Sequence, residues 1–490
     1  MHRVGRLVTG LAFVLAASGS LLGQVPDRSA PPELGSPPRL DLPDIQRFTL
    51  GNGLPVLLME NHRVPVVEVV LVVEAGAVDE PAGKEGLASI TAAMLDEGAG
   101  SRTALQVADA IDFLGAALAT NSGHHATIVT LHSSLSKLAD ALPIMADVAL
   151  RPTFPAEDLE RQRAERLTTL LQWRDEPRAI ASVAFAEALY GSGHPYGHPT
   201  MGSAASVAGF EAEDLRAFHA ARFHPSAATL IVVGDVTRGT VEPLLAGGFG
   251  GWRPGTASSG ELPAAPQVDQ REIWIVDKPG AAQSEIRIGR IGAERLTEDY
   301  HEIVVMNTIL GGSFTSRLNQ RLREERGYSY GAFSGFDFRP TPGPFVAQAA
   351  VQTAVTDSAL VVFLREISGI LERVSEAELQ RAKNYAALGY PQNFETVAST
   401  ADAMTEIALY DLPLDTLDRF IDEIMGVTVE DVERVARRYL DPDRVAIIVV
   451  GDRSVIEPGI RALNLGTVHT ATIADVLGPA PQLGQEPRGR

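Results

Sequence analysis

The stretch ARFHPSAATLIVVGDV, whose β-branched run at 230–233 is closed by Gly234 and Asp235, returns 217 residues later (451 against 234). The second copy reads RRYLDPDRVAIIVVGDR, with 447–450 closed by Gly451 and Asp452. Upstream of each copy lies a charged helical segment: FPAEDLERQRAERL from Phe154, and VSEAELQRAKNYAAL from Val374, where Ser375 and Glu378 have the spacing of a capping box. Solenoid repeats recur every few tens of residues, so a period this long means that one whole domain is present twice. The 490 residues agree, being too many for one compact core. A Gly-, Pro- and Ser-rich break, GGFGGWRPGTASSGELPAAPQVDQ at 247–270, reads as the linker. It leaves homologous halves at 45–246 and 271–470 and a tail at 471–490.

Strand-like runs at 55–60, 64–74, 126–132, 272–277 and 344–351 alternate with helical patterns at 84–95, 104–115, 135–150, 156–174, 298–310, 315–325, 357–373 and 376–388. Hairpin-like strands and helices in runs predict an α+β fold, a mainly antiparallel sheet with helices packed on one face, built twice.

Residues 1–24 place His2, Arg3 and Arg6 ahead of an apolar stretch at 7–22, short for a membrane span. This is the pattern of a secretory signal peptide cut between Ser20 and Gln24. An uncleaved N-terminal anchor is the rival reading. Six prolines make 25–44 an extended spacer. The expectation is an exported, periplasmic protein with no stable membrane insertion. A formal net charge of −20 disfavours nucleic acid and anionic membrane as partners. With no cysteine, disulfides, thiolate catalysis and Cys-based zinc sites are excluded.

In GLASITAAMLDEG at 86–98, Leu87, Ile90 and Met94 recur at helical spacing and face inward. Ser89, Ala92 and Ala93 sit at the offsets where an H-x-x-E-H zinc-peptidase helix holds a ligand, the general base and a second ligand. The helix is either a plain buried one or an active-site helix with its chemistry removed. Histidines elsewhere do not rebuild the set. GHHATIVTLH offers His124, His125 and His132, and SGHPYGHP offers His194 and His198. Neighbours on a strand face opposite sides, so structural or surface roles are expected for them. No P-loop, dinucleotide fingerprint or G-x-S-x-G elbow is present. The Gly311, Gly312 pair suits close approach of a substrate strand or of neighbouring backbone.

Four stretches, LGNGLPVLLMENHRVPVVEVVLVVEAGAVDEPAGKEGLASITAAMLDEG, HPYGHPTMG, FHPSAATLIVVGD and LGGSFTSRLNQRLREERGYSYG, together and in this order resemble the pitrilysin, insulysin and mitochondrial processing peptidase family. The resemblance implies inverzincin architecture, two homologous halves closing like a clamshell around an extended peptide. It also implies that the metal site is lost. The ligand and base positions hold Ser89, Ala92 and Ala93, and the distal glutamate falls at Leu170, with Glu165 more than a helical turn away. Alanine has no donor, whereas zinc needs several N, O or S ligands and a base for its water. LREERGYSY keeps Arg323 seven residues before Tyr330, with Gly327 between them. The resemblance gives the Tyr hydroxyl the developing oxyanion and gives the Arg the peptide backbone and the Tyr ring. Gly311 and Gly312, just before the helical pattern at 315–325, are expected to form a substrate loop.

The implied function is the zinc-less subunit of an exported heterodimeric metallopeptidase, inert alone and without a cofactor of its own. It would lend Arg323 and Tyr330 in trans to a homologous partner that carries H-x-x-E-H and zinc, acting on peptides or unfolded protein. The rival is a catalytically inactive peptide-binding or scaffold protein of the same fold, like the family's respiratory core subunits. A scaffold has little need for both residues at that spacing, which favours the first.

Overall fold

The computed structural model describes residue 35 and residues 40–255 and 262–482. The segment read as a signal peptide lies outside these, as does most of the spacer. The first half supplies β1 (Ile45–Thr49), β2 (Pro55–Glu60), β3 (Val66–Val73), the small ribbon β4 (Gly98–Ala99) and β5 (Arg102–Thr103), β6 (Ala117–Ser122), β7 (Thr127–Ser134) and β8 (Ala228–Gly234). The second supplies β9 (Glu272–Asp277), β10 (Gln283–Ile291), β11 (Ser329–Phe336), β12 (Pro344–Gln352), β13 (Ala446–Gly451) and β14 (Thr467–Thr472). Five helices matter most below: α1 (Leu87–Ala93), α2 (Ala156–Trp173), α3 (Pro177–Tyr190), α4 (Tyr300–Leu310) and α5 (Val397–Tyr410).

The strand orders are β1-β2-β8-β3-β7-β6 and β11-β12-β10-β13-β9-β14. Read in opposite directions, β2-β8-β3-β7-β6 and β9-β13-β10-β12-β11 are one topology. In both, the β2/β8 and β9/β13 pairs are parallel and the rest antiparallel. The register repeats too. Glu60 lies opposite Gly234 and Asp277 opposite Gly451; Glu68 lies opposite Val233 and Glu285 opposite Val450. Each pair is displaced by the same 217 residues that separate the two VVGD motifs. Only the outer strands differ, β1 running antiparallel to β2 and β14 parallel to β9.

The central strands are apolar on both faces, so both faces need cover. Val67, Val69 and Leu71 of β3 face the helices of their own half, as the one-sided layering predicts. Val70 and Val72, with Ile231 and Val233, face the other way and meet Val397, Ala401 and Met404 of α5, which belongs to the second half. Reciprocally, Ile180, Ala181 and Ala184 of α3 cover Val276, Ile448 and Val450 of the second sheet. Each half therefore lends one helix to the back of the other's sheet.

Regular structure extends past two of the expected boundaries. A helix at Arg238–Phe249 crosses 246, and buried Trp252 donates from Nε1 to the Phe223 carbonyl at 3.1 Å. Beyond 470, β14 and a short helix at Ile473–Leu477 pack against α3. The first buries Phe249 and Trp252 inside the segment read as linker, and the second half-buries Ile473, Val476 and Leu477 inside the segment read as tail.

Candidate functional site

The helix carrying Ser89, Ala92 and Ala93 is shorter than its apolar periodicity suggests, 87–93 rather than 84–95. Gly86 starts it at φ +95°, against the Met201 backbone, where a Cβ would lie 2.6 Å from the carbonyl oxygen. The Glu80 carboxylate caps it, accepting from Gly86 N at 3.0 Å and Ala88 N at 2.8 Å. Burial pushes the Glu80 carboxyl up to about 8, against the pull of those two amides. On this helix Ala92 is buried and Ala93 half-buried.

The structure does bring Ser89 and the Leu170 helix together. The link is Arg166, one turn before Leu170 on α2. Arg166 Nη1 donates to Ser89 Oγ at 3.0 Å and Nη2 to the Ser89 carbonyl at 2.8 Å. Arg166 is only 9% exposed, and its Nε is buried without a partner. One hydroxyl already engaged by a guanidinium, two methyl groups and a leucine do not fit zinc. Among the described residues, no group of three or more His, Cys, Asp or Glu side chains is placed to hold a metal.

The Arg323 and Tyr330 pair is set by two backbone irregularities. The helix expected at 315–325 is instead a short α-turn, Arg317–Asn319, followed by π-helical Gln320–Glu325, a winding that recurs at functional sites. Arg323 lies within it. Gly327, at φ +63°, ends the segment, with its N–H on the Arg323 carbonyl at 3.1 Å. In β11 the pairing jumps from Ser329 opposite Val351 to Ala332 opposite Ala349, so Tyr330 and Gly331 stand against Ala350 alone. Such a bulge re-aims the side chain it carries. Its backbone is tied down. Gly331 N donates to Ser329 Oγ at 3.0 Å, Ser329 Oγ donates to Gly331 O at 2.6 Å, and Ala332 N donates to Asn319 Oδ1 at 3.2 Å. The Tyr330 side chain itself is 92% exposed. Arg323 is held over the Phe314 ring, with Cζ 4.3 Å from the centroid, and no hydrogen bond joins it to Tyr330 among the described residues. Phe314, Phe333 and Tyr330 are all exposed.

Gly311 and Gly312 close α4 against β11. A Cβ on Gly311 would lie 2.3 Å from Ser334 N, which donates to the Gly311 carbonyl at 3.1 Å. A Cβ on Gly312 would meet Asn307 Nδ2 at 2.7 Å. At Gly311 the close neighbour is the Ser334 backbone, and at Gly312 it is the Asn307 side chain.

The histidines occupy structural positions, though strand alternation is not the reason. His124 and His125 lie in the turn between β6 and β7, where strand alternation does not apply, and both rings contact Tyr196, at 5.3 and 5.5 Å between centroids. His194 joins them at 5.0 Å. His125 Nε2 is 2.5 Å from the Tyr196 hydroxyl, which reaches Thr341 Oγ1 of the second half at 2.9 Å. His132 lies elsewhere, its Nδ1 2.7 Å from Glu68 Oε2. Asn319, Phe314 and Arg166 are the side chains that sequence reasoning missed. For Arg166 the signal was its i−4 position relative to Leu170.

Comparison with known proteins places two family descriptions end to end: "Insulinase (Peptidase family M16)" at residues 55–203, and "Peptidase M16 inactive domain" at 209–385. An uncharacterized zinc protease of Mycobacterium leprae is 27% identical over 403 residues, 81% of this chain and 89% of its own. One of Mycobacterium tuberculosis is 28% identical over 405 residues, 81% and 90% of the two chains. Among solved structures, a peptidase M16 inactive domain from Pseudomonas fluorescens superposes with a TM-score of 0.79 at 27% identity, covering 83% of this chain and 98% of that one. A protease from Helicobacter pylori, at 20% identity, shares the fold with a TM-score of 0.77 over 84% of this chain and 100% of that one.

Proposed function

We propose, starting from a chain that belongs to the M16 peptidase family, that it is the zinc-less subunit of an exported, two-chain metallopeptidase acting on peptides or unfolded protein. The observation that carries this reading is the Tyr330 bulge. A backbone pinned by Ser329 and Asn319 presents to solvent a phenol that has no hydrogen-bond partner among the described residues, beside a π-turn that holds Arg323. A side chain with no packing role on so fixed a platform suits a donor kept for a ligand.

In the complex, zinc held by the partner would polarise the scissile carbonyl and activate water. From this chain, the Tyr330 hydroxyl donates to the carbonyl oxygen as negative charge develops. Arg323, braced by Phe314, donates to peptide backbone. Export is supported by the N-terminal sequence pattern; among the described residues no helix is long and apolar enough to cross a membrane.

The test is reconstitution with a homologous chain that carries H-x-x-E-H. This chain alone should bind no stoichiometric zinc and cleave no unstructured peptide, and the mixture should hydrolyse peptide faster than the zinc-bearing chain alone. One tight zinc per isolated chain, or hydrolysis by it, would overturn the subunit reading. A stable complex with no gain in hydrolysis would leave the peptide-binding scaffold.

A further inference from the structure

We propose that Arg166 is the permanent occupant of the abandoned metal position, its guanidinium replacing the metal as the cationic tie between α1 and α2 and keeping zinc out. The inference rests on the reading of Ser89, Ala92, Ala93 and Leu170 as vacated positions, but not on any partner chain.

A metal at such a site joins the two helices by taking ligands from both. Here the two bonds from Arg166 to Ser89 make the same connection, one to the side chain and one to the backbone of the first vacated position. The guanidinium lies against the Ser89 hydroxyl, the tip of that side chain. An imidazole at 89 would thus run into the volume that the guanidinium fills. The charge matters as much as the volume. Arg166 is buried, no carboxylate lies within ion-pair distance of it among the described residues, and burial brings its guanidinium down only to about 10, so it stays charged at neutral pH. A second cation beside it would be repelled with little water to screen the pair. Reversing the four substitutions is therefore insufficient; Arg166 must also go.

The experiment compares two variants of the full chain by zinc titration with a competing chelator and by metal analysis. The first carries Ser89→His, Ala92→Glu, Ala93→His and Leu170→Glu; the second adds Arg166→Ala. The second should bind one zinc per chain and melt at a higher temperature when zinc is added. The first should bind at least about tenfold to a hundredfold more weakly, no less than the effect of disturbing groups around a metal site. Equal affinity in the two, or no binding by either, would overturn the proposal.

If a multiple variant does not fold, the tie is tested in the unaltered background by a thermal double-mutant cycle of Ser89→Ala and Arg166→Met. The two should be coupled, with the double variant losing less than the sum of the singles. Additivity would overturn the tie. Neither readout involves a partner or peptide hydrolysis, so failure here leaves the trans-acting role of Tyr330 standing, and failure there leaves this one standing.

Discussion

At the scale of single residues, the proposed site rests as much on what four positions lack as on Arg323 and Tyr330. The emptied positions are legible in the sequence because H-x-x-E-H has fixed offsets, and Ser89, Ala92, Ala93 and Leu170 are poor metal ligands in any fold. The filling of the gap is not legible there. Arg166 on a charged helix looks in sequence like its neighbours Arg161 and Arg163, and only the structure shows that it is buried and bonded to Ser89. The glycines divide similarly. Gly311→Ala forces a Cβ to within 2.3 Å of Ser334 N, so it should cost about 1–3 kcal/mol, measured as a lower denaturant midpoint. Gly327→Ala meets no neighbouring atom but keeps φ at +63°, so it should cost roughly 1 kcal/mol. A smaller loss in Gly311→Ala than in Gly327→Ala would contradict the packing role given to Gly311.

At the scale of elements, β2 and β9 match their expected limits, and several helices fall within a residue or two, because their apolar periods are long and their ends are capped or closed by Gly. The two irregular elements escaped. Leu318 and Leu322 keep α-helical spacing on the buried side, so nothing in the apolar pattern reports the π-turn between them. SYGAF alternates like any edge strand, so the bulge is invisible until the β12 register is known. The bulge makes its own prediction. Deleting Gly331 returns β11 to one-to-one pairing and moves Tyr330 out of its presented position. Far-UV circular dichroism should hold while activity of the reconstituted pair falls as far as with loss of the hydroxyl. Undiminished activity would mean that the bulge does not aim the Tyr.

At the scale of the whole molecule, the duplication is plain in sequence, whereas the exchange of α3 and α5 is not, since a buried helix carries no label saying whose sheet it covers. The exchange makes the halves interdependent. Residues 40–255 or 262–482 expressed alone should aggregate, each sheet exposing an apolar back, whereas the two expressed together should form a soluble complex. A soluble, cooperatively melting single half would contradict this. The junction around Tyr196 adds a pH dependence. Burial, then the Arg339 charge, holds His124 down to about 3 and His125 down to about 4. The unfolded chain takes up these protons near 6.5 and the folded chain only well below it. This contribution to stability is complete above 6.5 and is lost as pH falls toward 4. The melting temperature should drop across that window, and less steeply in His125→Asn. The claim that joins all three scales is that this chain completes another chain's active site. Its most direct test is the steady-state kinetics of Tyr330→Phe in the reconstituted pair. The account predicts a fall in kcat of about 10²- to 10³-fold with KM moving far less, because the hydroxyl bonds mainly to the transition state. Wild-type kcat in that variant would contradict it.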